Sequence, residues 1–153
     1  MVIQMTRWGP AGLAAGVDLE DLKRTLQRGA RLLDIPDDRM AVVTLTSDGH
    51  IREYNRRYRG LDEPTDVLAF AAQEQPSDQR FVPPPGTEQW LGDIVISLQR
   101  ARAQASAAGH PVGNEVRLLA VHGLLHLLGY DHAEVEEERR MTELTNRILE
   151  TAS

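Results

Sequence analysis

Hydrophobic positions along the chain follow two different periods, which predicts an alternation of strands and helices. In the segment 19–33 the apolar side chains recur every three or four residues, as on one buried helix face. The segment 40–46 (MAVVTLT) is rich in β-branched residues, which favour strands. By these criteria, the predicted strands cover residues 1–7, 40–46, 66–70 and 90–97, and the predicted helices cover residues 19–33, 48–59, 98–108, 114–128 and 135–149.

The order of the predicted elements, β-α-β-α-β-β-α-α-α, indicates an α+β fold, with a mixed sheet of about four strands packed against about five helices. Residues 73–89 contain four prolines, so we expect a long surface loop there. A chain of 153 residues is long enough to bury one hydrophobic core. Since no repeat or linker divides the sequence, we expect a single domain over residues 1–153.

Composition narrows the classes of protein and of metal site. The sequence contains no cysteine, so a bound metal must be held by nitrogen and oxygen atoms. No apolar run approaches the roughly 18 residues of a membrane span, and we therefore expect a soluble cytoplasmic protein without a membrane partner. The net charge of −6 argues against a non-specific polyanion binder. We expect no DNA partner, while a local basic patch stays compatible with this charge.

Such a patch lies in residues 52–59 (REYNRRYR), which contain four arginines and two tyrosines. Guanidinium groups attract phosphates, and tyrosine rings can stack on unpaired bases. The same pattern is also typical of an ordinary solvated helix face with its tyrosines packed inward. Composition alone does not choose between these interpretations.

The strongest chemical signal is HGLLHLLGYDH at residues 122–132. His122 and His126 are four residues apart, so they share one face of a helix. Gly129 can adopt a positive φ, which would end the helix and fold the chain back towards the first two histidines. His132 would then join them. Three imidazoles suit Zn²⁺ and leave a fourth position for water, as in catalytic zinc sites.

Two other interpretations compete with this one. A histidine on a leucine-rich helix is commonly a hydrogen-bonded core residue. The spacing of the three histidines is also that of the metzincin peptidases, H-E-x-x-H-x-x-G-x-x-H. Those enzymes use the glutamate as a general base, whereas this chain has Gly123 in its place. The peptidase interpretation therefore lacks its essential residue.

The histidine motif resembles the signature of the YbeY family, bacterial single-domain zinc endoribonucleases. Two further segments are similar to family motifs in the same order, NRRYRGLDEPTDVLAF at residues 55–70 and LGDIVIS at residues 91–97. The resemblance spans roughly residues 41–149. It departs from the usual pattern at Glu115 and Leu118, where family members often have histidines, and at Ala69, where serine is common.

The resemblance implies that His122, His126 and His132 bind one zinc ion per chain. Arg59 matches an arginine that family members place near the metal, so Arg59 and His122 are the catalytic candidates. The implied function is cleavage of single-stranded RNA in maturation of the small-subunit ribosomal RNA 3′ end and in ribosome quality control, with small-subunit ribosomal proteins as further partners. The alternatives are a metzincin-like metalloprotease and a non-catalytic, ribosome-associated zinc adaptor.

Several acidic residues are open to more than one interpretation. Asp93 either caps a strand end or orients a ligand histidine from behind. Asp131 orients such a histidine, holds an attacking water or stabilises a turn. For Asp66 we expect turn chemistry at a strand start. We assign no function to His50, expected on an exposed helix surface, or to His110, expected in a loop.

Overall fold

A computed structural model describes residues 1–10, 12–72, 90–130 and 134–150. The loop predicted over residues 73–89 lies outside the described residues. In the described ranges the chain forms four strands and five helices, in the predicted order. They are β1 (Val2–Arg7), α1 (Leu19–Leu32), β2 (Met40–Thr46), α2 (Asp48–Arg59), β3 (Val67–Ala71), β4 (Trp90–Ser97), α3 (Leu98–Ala108), α4 (Val112–Leu127) and α5 (Val135–Glu150).

Three helices begin at the predicted residues, each after a side-chain cap. The side chain of Asp18 accepts a hydrogen bond from the backbone N–H of the third residue after it, at 3.1 Å, which begins α1. Ser47 and Ser97 do the same for α2 and α3, at 3.3 Å and 3.2 Å. Gly60 ends α2 with φ of 72°. These boundaries follow from local chemistry, and the predicted ends are confirmed.

α4 begins earlier than expected. We predicted its start near Asn114, but the helix begins at Val112, with Pro111 as the N-cap residue. Proline suits this position because its fixed φ matches the helix and the first turn needs no backbone donor. Asn114 lies within the first turn, where its side-chain oxygen accepts a hydrogen bond from Arg117 at 2.6 Å.

The strands form one mixed sheet in the order β1-β2-β4-β3. β1, β2 and β4 are parallel, and β3 pairs antiparallel with β4 at the outer edge. α1, α3 and α4 pack on one face around the main core, whereas α2 packs on the other face through Ile51. The α+β prediction is confirmed. No helix in the described ranges is both long enough and apolar enough to cross a lipid bilayer.

β3 approaches β4 closely because of Gly92. An ideal Cβ on this residue would stand 2.3 Å from the carbonyl oxygen of Phe70. Gly92 also has φ of 149°, and the β2–β4 register shifts beside it, between Met40 and Ala41. A side chain at this position would push β3 away from the sheet. The glycine thus fixes the position of the edge strand.

Candidate active site

α4 is packed tightly against the sheet, and this fixes the direction of its polar side chains. Gly123 is buried and faces β4, where a Cβ would lie 2.6 Å from Cγ2 of Ile94. Leu119, Leu124 and Leu127 add to the same buried surface. The two histidines of α4 therefore stand on a helix that has little freedom to shift or rotate.

His122 and His126 lie side by side on α4. Their ring centroids are 6.2 Å apart, with 41° between the ring planes, and both side chains are half-buried. Imidazole nitrogens bind Zn²⁺ at roughly 2.0–2.1 Å, so two rings this close can turn towards one ion. The donor set fits a nitrogen-binding metal, and no cysteine competes for it.

The helix ends as the sequence predicted. Gly129 has φ of 94°, and its N–H donates to the carbonyl oxygen of His126 at 3.0 Å. The N–H of Tyr130 donates to the carbonyl oxygen of Leu125 at 3.1 Å. No described atom lies within 4 Å of a Cβ built on Gly129. The glycine is therefore required for its backbone conformation and not for space.

The third predicted ligand, His132, lies outside the described residues, as does Asp131. Within the described ranges, no three His, Cys, Asp or Glu side chains are grouped to hold a metal ion. The structure thus brings His122 and His126 together and ends α4 just after them, beside a glycine with positive φ. The three-histidine site stays a prediction.

Arg59, from the opposite face of the sheet, reaches the same region. It ends α2, and its guanidinium donates to the carbonyl oxygen of Ala69 at 3.3 Å and lies 5.6 Å above the ring of Phe70. A cleft of about 450 Å³ is lined by Arg59, His126, Gly129 and the edge strand β3. Two residues singled out separately in the sequence therefore share one cavity.

Two of the other arginines of α2 are neutralised at the surface. Arg52 donates to Asp62 at 2.8 Å, and this hydrogen bond holds the pKa of that carboxyl below its usual value. Arg56 pairs with Glu53 and likewise lowers the pKa of its partner. Arg57 and Arg59 are the other two arginines of α2. In the part of the chain that the structure describes, neither forms an ion pair with a carboxylate.

Asn55 is a cleft residue that the sequence motifs did not single out. It is 3% exposed, and its side-chain amide donates to the carbonyl oxygen of Glu63 at 2.9 Å. Its backbone oxygen accepts from the N–H of Leu61. Asn55 thus fastens the segment 61–66, which lines the cleft, to α2. A buried polar residue on an otherwise apolar helix face was the available signal.

Asp93 does not take either role that we expected. It lies inside β4, so it caps no strand end, and it does not face the two histidines of α4, because Ile94, the next residue, is the one that faces Gly123 on that helix. Asp93 faces α2 instead, paired in the sheet with Phe70 and close enough to raise the pKa of Tyr54, although burial is the larger cause of that shift. Burial raises the pKa of Asp93 itself to about 6.

Other polar residues are placed as follows. Asp66 accepts a hydrogen bond from the N–H of Val67 at 2.8 Å, which agrees with the predicted turn chemistry at a strand start. His110 is paired with the buried carboxylate of Glu115 at 2.8 Å. His50 lies on α2 as expected, but it is half-buried and not exposed, since aromatic rings flank it on both sides.

Comparisons with known proteins agree on one family. A family model described as Endoribonuclease YbeY matches residues 17–153. Endoribonuclease YbeY of Geobacillus kaustophilus is 46% identical over 131 residues, which are 86% of this chain and 84% of the relative. That of Moorella thermoacetica is 46% identical over 114 residues, covering 74% and 73%.

A solved structure is similar along almost the whole chain. The solution structure of TM1509 from Thermotoga maritima superposes with a TM-score of 0.63 at 27% identity, covering 99% of this chain and 89% of that one. The similarity includes the first forty residues, which carried little of the resemblance read from the sequence motifs. The architecture of the sheet and helices is therefore shared with a protein of known structure.

Proposed function

The chain belongs to the Endoribonuclease YbeY family, and we propose that it cleaves single-stranded RNA in the cleft between α2, β3 and α4. The observation that carries this proposal is that Arg59 and His126 line one cavity although they come from opposite faces of the sheet. A substrate bound in this cavity could therefore contact both Arg59, the proposed phosphate-binding cation, and His126, a proposed metal ligand. A cationic side chain and a bound metal ion can both stabilise the negative charge that develops during phosphodiester hydrolysis.

We infer that the metal is zinc, one ion per chain, held by His122, His126 and His132. Zinc accepts imidazole nitrogens and tolerates an incomplete set of protein ligands in catalytic sites. When bound, it would supply Lewis-acid chemistry to the scissile phosphate. His122 is included among the catalytic residues because it would stand in direct contact with that ion.

Arg59 would bind the scissile phosphate. Its fork of N–H donors suits two phosphate oxygens, and its charge would offset the negative charge that develops during cleavage. The ring of Phe70 below the guanidinium holds it at the mouth of the cleft. Arg59 cannot serve as a proton acceptor, because a guanidinium stays charged at physiological pH. Its role is therefore electrostatic.

The family membership supports a ribosomal substrate. We propose that the protein acts in the cytoplasm on small-subunit ribosomal RNA, at its 3′ end and in ribosome quality control, with small-subunit ribosomal proteins as further contacts. The absence of excess positive charge fits a nuclease that is delivered to one substrate and does not coat RNA indiscriminately.

The two alternatives make different demands on the structure. A metzincin-like peptidase needs a glutamate at position 123, and Ile94 leaves no room for any side chain there. A structural zinc adaptor normally has four protein ligands, whereas the motif offers three histidines. Both observations favour the nuclease.

The decisive assay mixes metal-loaded protein with purified ribosomal RNA, with and without a chelator, and resolves the products on a gel. We expect cleavage that the chelator abolishes and that added zinc restores. Intact RNA in every lane, with RNA still bound, would favour the adaptor. Hydrolysis of casein under the same conditions would favour the peptidase.

A further inference from the structure

An aromatic row runs along α2 and ends at the cleft. His50, Tyr54 and Tyr58 are spaced by four residues, so they share one side of the helix, with ring centroids 5.1 Å and 5.9 Å apart. Trp8 stacks on His50 at 5.9 Å with 14° between the planes. Phe70 lies 5.1 Å from Tyr58 at the other end. We call these five rings the aromatic row.

The aromatic row is not part of the hydrophobic core. Ile51, on the same helix, is fully buried against Leu68 and Val95, whereas the rings of the row are only half-buried at the rim of that cluster. Trp8 is 57% exposed. A ligand that covers this exposed ring would remove apolar surface from water, which favours binding.

Positive charge is concentrated at the cleft end of the aromatic row. The guanidinium of Arg57 lies 6.0 Å from the ring centroid of Tyr58, and that of Arg59 lies 5.6 Å from that of Phe70. These are the two arginines of α2 that no described carboxylate neutralises. A ligand with both flat aromatic groups and negative charges would complement this arrangement.

We propose that the aromatic row binds the unpaired bases of an RNA strand and leads that strand to Arg59. This inference rests on the proposed nuclease function and extends it to the nucleotides that flank the cleaved bond. The rings are 5.1–5.9 Å apart, wider than the roughly 3.4 Å per nucleotide along one strand of a duplex. The spacing therefore suits an extended single strand and disfavours a double helix.

Single-residue changes can test the aromatic row without disturbing the fold. Trp8 and His50 form their hydrogen bonds through backbone groups. The backbone N–H of Trp8 donates to the carbonyl oxygen of Leu45, and that of His50 donates to the hydroxyl oxygen of Ser47. Trp8→Ala and His50→Ala should therefore fold normally. Val135→Ala on α5 is the matched control, because it also removes an exposed apolar side chain, 73% exposed in this case.

Steady-state cleavage by the metal-loaded protein is measured on a long oligouridylate and on a uridine dinucleotide, which is too short to reach Trp8 at the far end of the aromatic row from Arg59. Trp8→Ala should raise KM for the long substrate by about 10-fold, since base stacking is lost, and leave kcat and dinucleotide cleavage unchanged. Trp8→Phe should recover most of the affinity. An equal loss on both substrates, or no loss on either, would overturn the proposal.

Direct binding separates this inference from the nuclease function itself. In a Trp90→Phe background, Trp8 is the sole tryptophan, and the long oligouridylate should quench its fluorescence. Quenching without any cleavage would support the aromatic row and contradict the nuclease. Cleavage without quenching, with KM unchanged in Trp8→Ala, would contradict the row alone.

Discussion

Gly123 on α4 and Ile94 on β4 are in direct contact, and a Cβ on the glycine would come within 2.6 Å of the isoleucine side chain. This contact sets the distance between helix and sheet. It also turns position 123 away from the cleft and into the core. The sequence motif showed glycine where the peptidases have glutamate, and the structure adds that any side chain there would force Ile94 to shift.

Gly123→Ala should therefore destabilise the protein, by about 1–3 kcal/mol, the usual cost of overpacking a core. Urea denaturation followed by circular dichroism measures the change. Gly49→Ala is the matched control: it is also helical, but no described atom lies within 4 Å of its Cβ, and it should raise stability by up to about 1 kcal/mol. Equal effects of both changes would contradict the close contact.

Gly129 should respond to backbone preference and not to size. Its φ of 94° disfavours β-branched residues most strongly. Gly129→Val should therefore reduce zinc affinity more than Gly129→Asn, measured by competition with a chromophoric chelator. Gly109→Val, at a helix end with φ of 74°, serves as control and should lower stability without changing zinc affinity. If valine at 129 bound zinc as well as glycine, the turn would have no part in the metal site.

His126→Ala should remove most of the zinc from purified protein, determined by elemental analysis. Zinc affinity of the unmodified protein should also fall as pH drops through roughly 6.5, because imidazole ligates in its neutral form. His50→Ala changes a histidine of the aromatic row and should keep full zinc content. If His126→Ala still contained about one zinc ion per chain, this residue would not be a ligand of the metal.

Arg59→Ala should lower RNA cleavage by about 10²-fold or more at equal zinc content, the usual loss when a donor to transition-state charge is removed. Arg59→Lys should recover part of the rate, since an ammonium offers charge without the two-pronged grip. Arg56→Ala is the control, because this arginine is already paired with Glu53. Identical rates for all these proteins would exclude Arg59 from the mechanism.

Asp93 should make stability depend on pH in the opposite sense to an ion-paired carboxylate. Burial raises its folded-state pKa from 3.8 to about 6, so the folded state holds the proton more tightly than the unfolded state. The resulting contribution to stability is complete below about pH 3.8 and is lost as pH rises through about 6.

Asp93→Asn should accordingly be more stable than the unmodified protein at pH 8, by about 1–2 kcal/mol after allowance for partial solvent screening. The difference should shrink towards pH 4, followed by urea denaturation at both values. Asp62→Asn offers the opposite sign, because its pairing with Arg52 lowers its pKa. If the difference in free energy of unfolding between Asp93→Asn and the unmodified protein did not vary with pH, the pKa of Asp93 would not be raised in the folded state.

Sequence patterns predicted the structural features that depend on residues close together in the chain. The caps at Asp18, Ser47 and Ser97 and the positive φ of Gly129 each involve atoms within a few positions of one another, so the motif contains the information. Such patterns could not predict which side of the sheet Asp93 faces. A strand's alternation shows that two faces differ, but which helix covers each face depends on pairing between distant segments.

The same limit applies to the site. Arg59 and His126 were each identifiable from a local motif, whereas their common cleft follows from the strand order β1-β2-β4-β3, which no local period encodes. Asn55 was missed as a cleft residue because its partner, Glu63, lies in a segment without periodic pattern.

The position of β3 at the outer edge also governs when the chain can become active during its own synthesis. Arg59 is synthesised well before α4, and the two meet only where the sheet ends at β3. A partly synthesised chain that has not yet released α4 therefore lacks a complete cleft. For the proposed nuclease, this order means that the cleft is complete only after α4 has been synthesised.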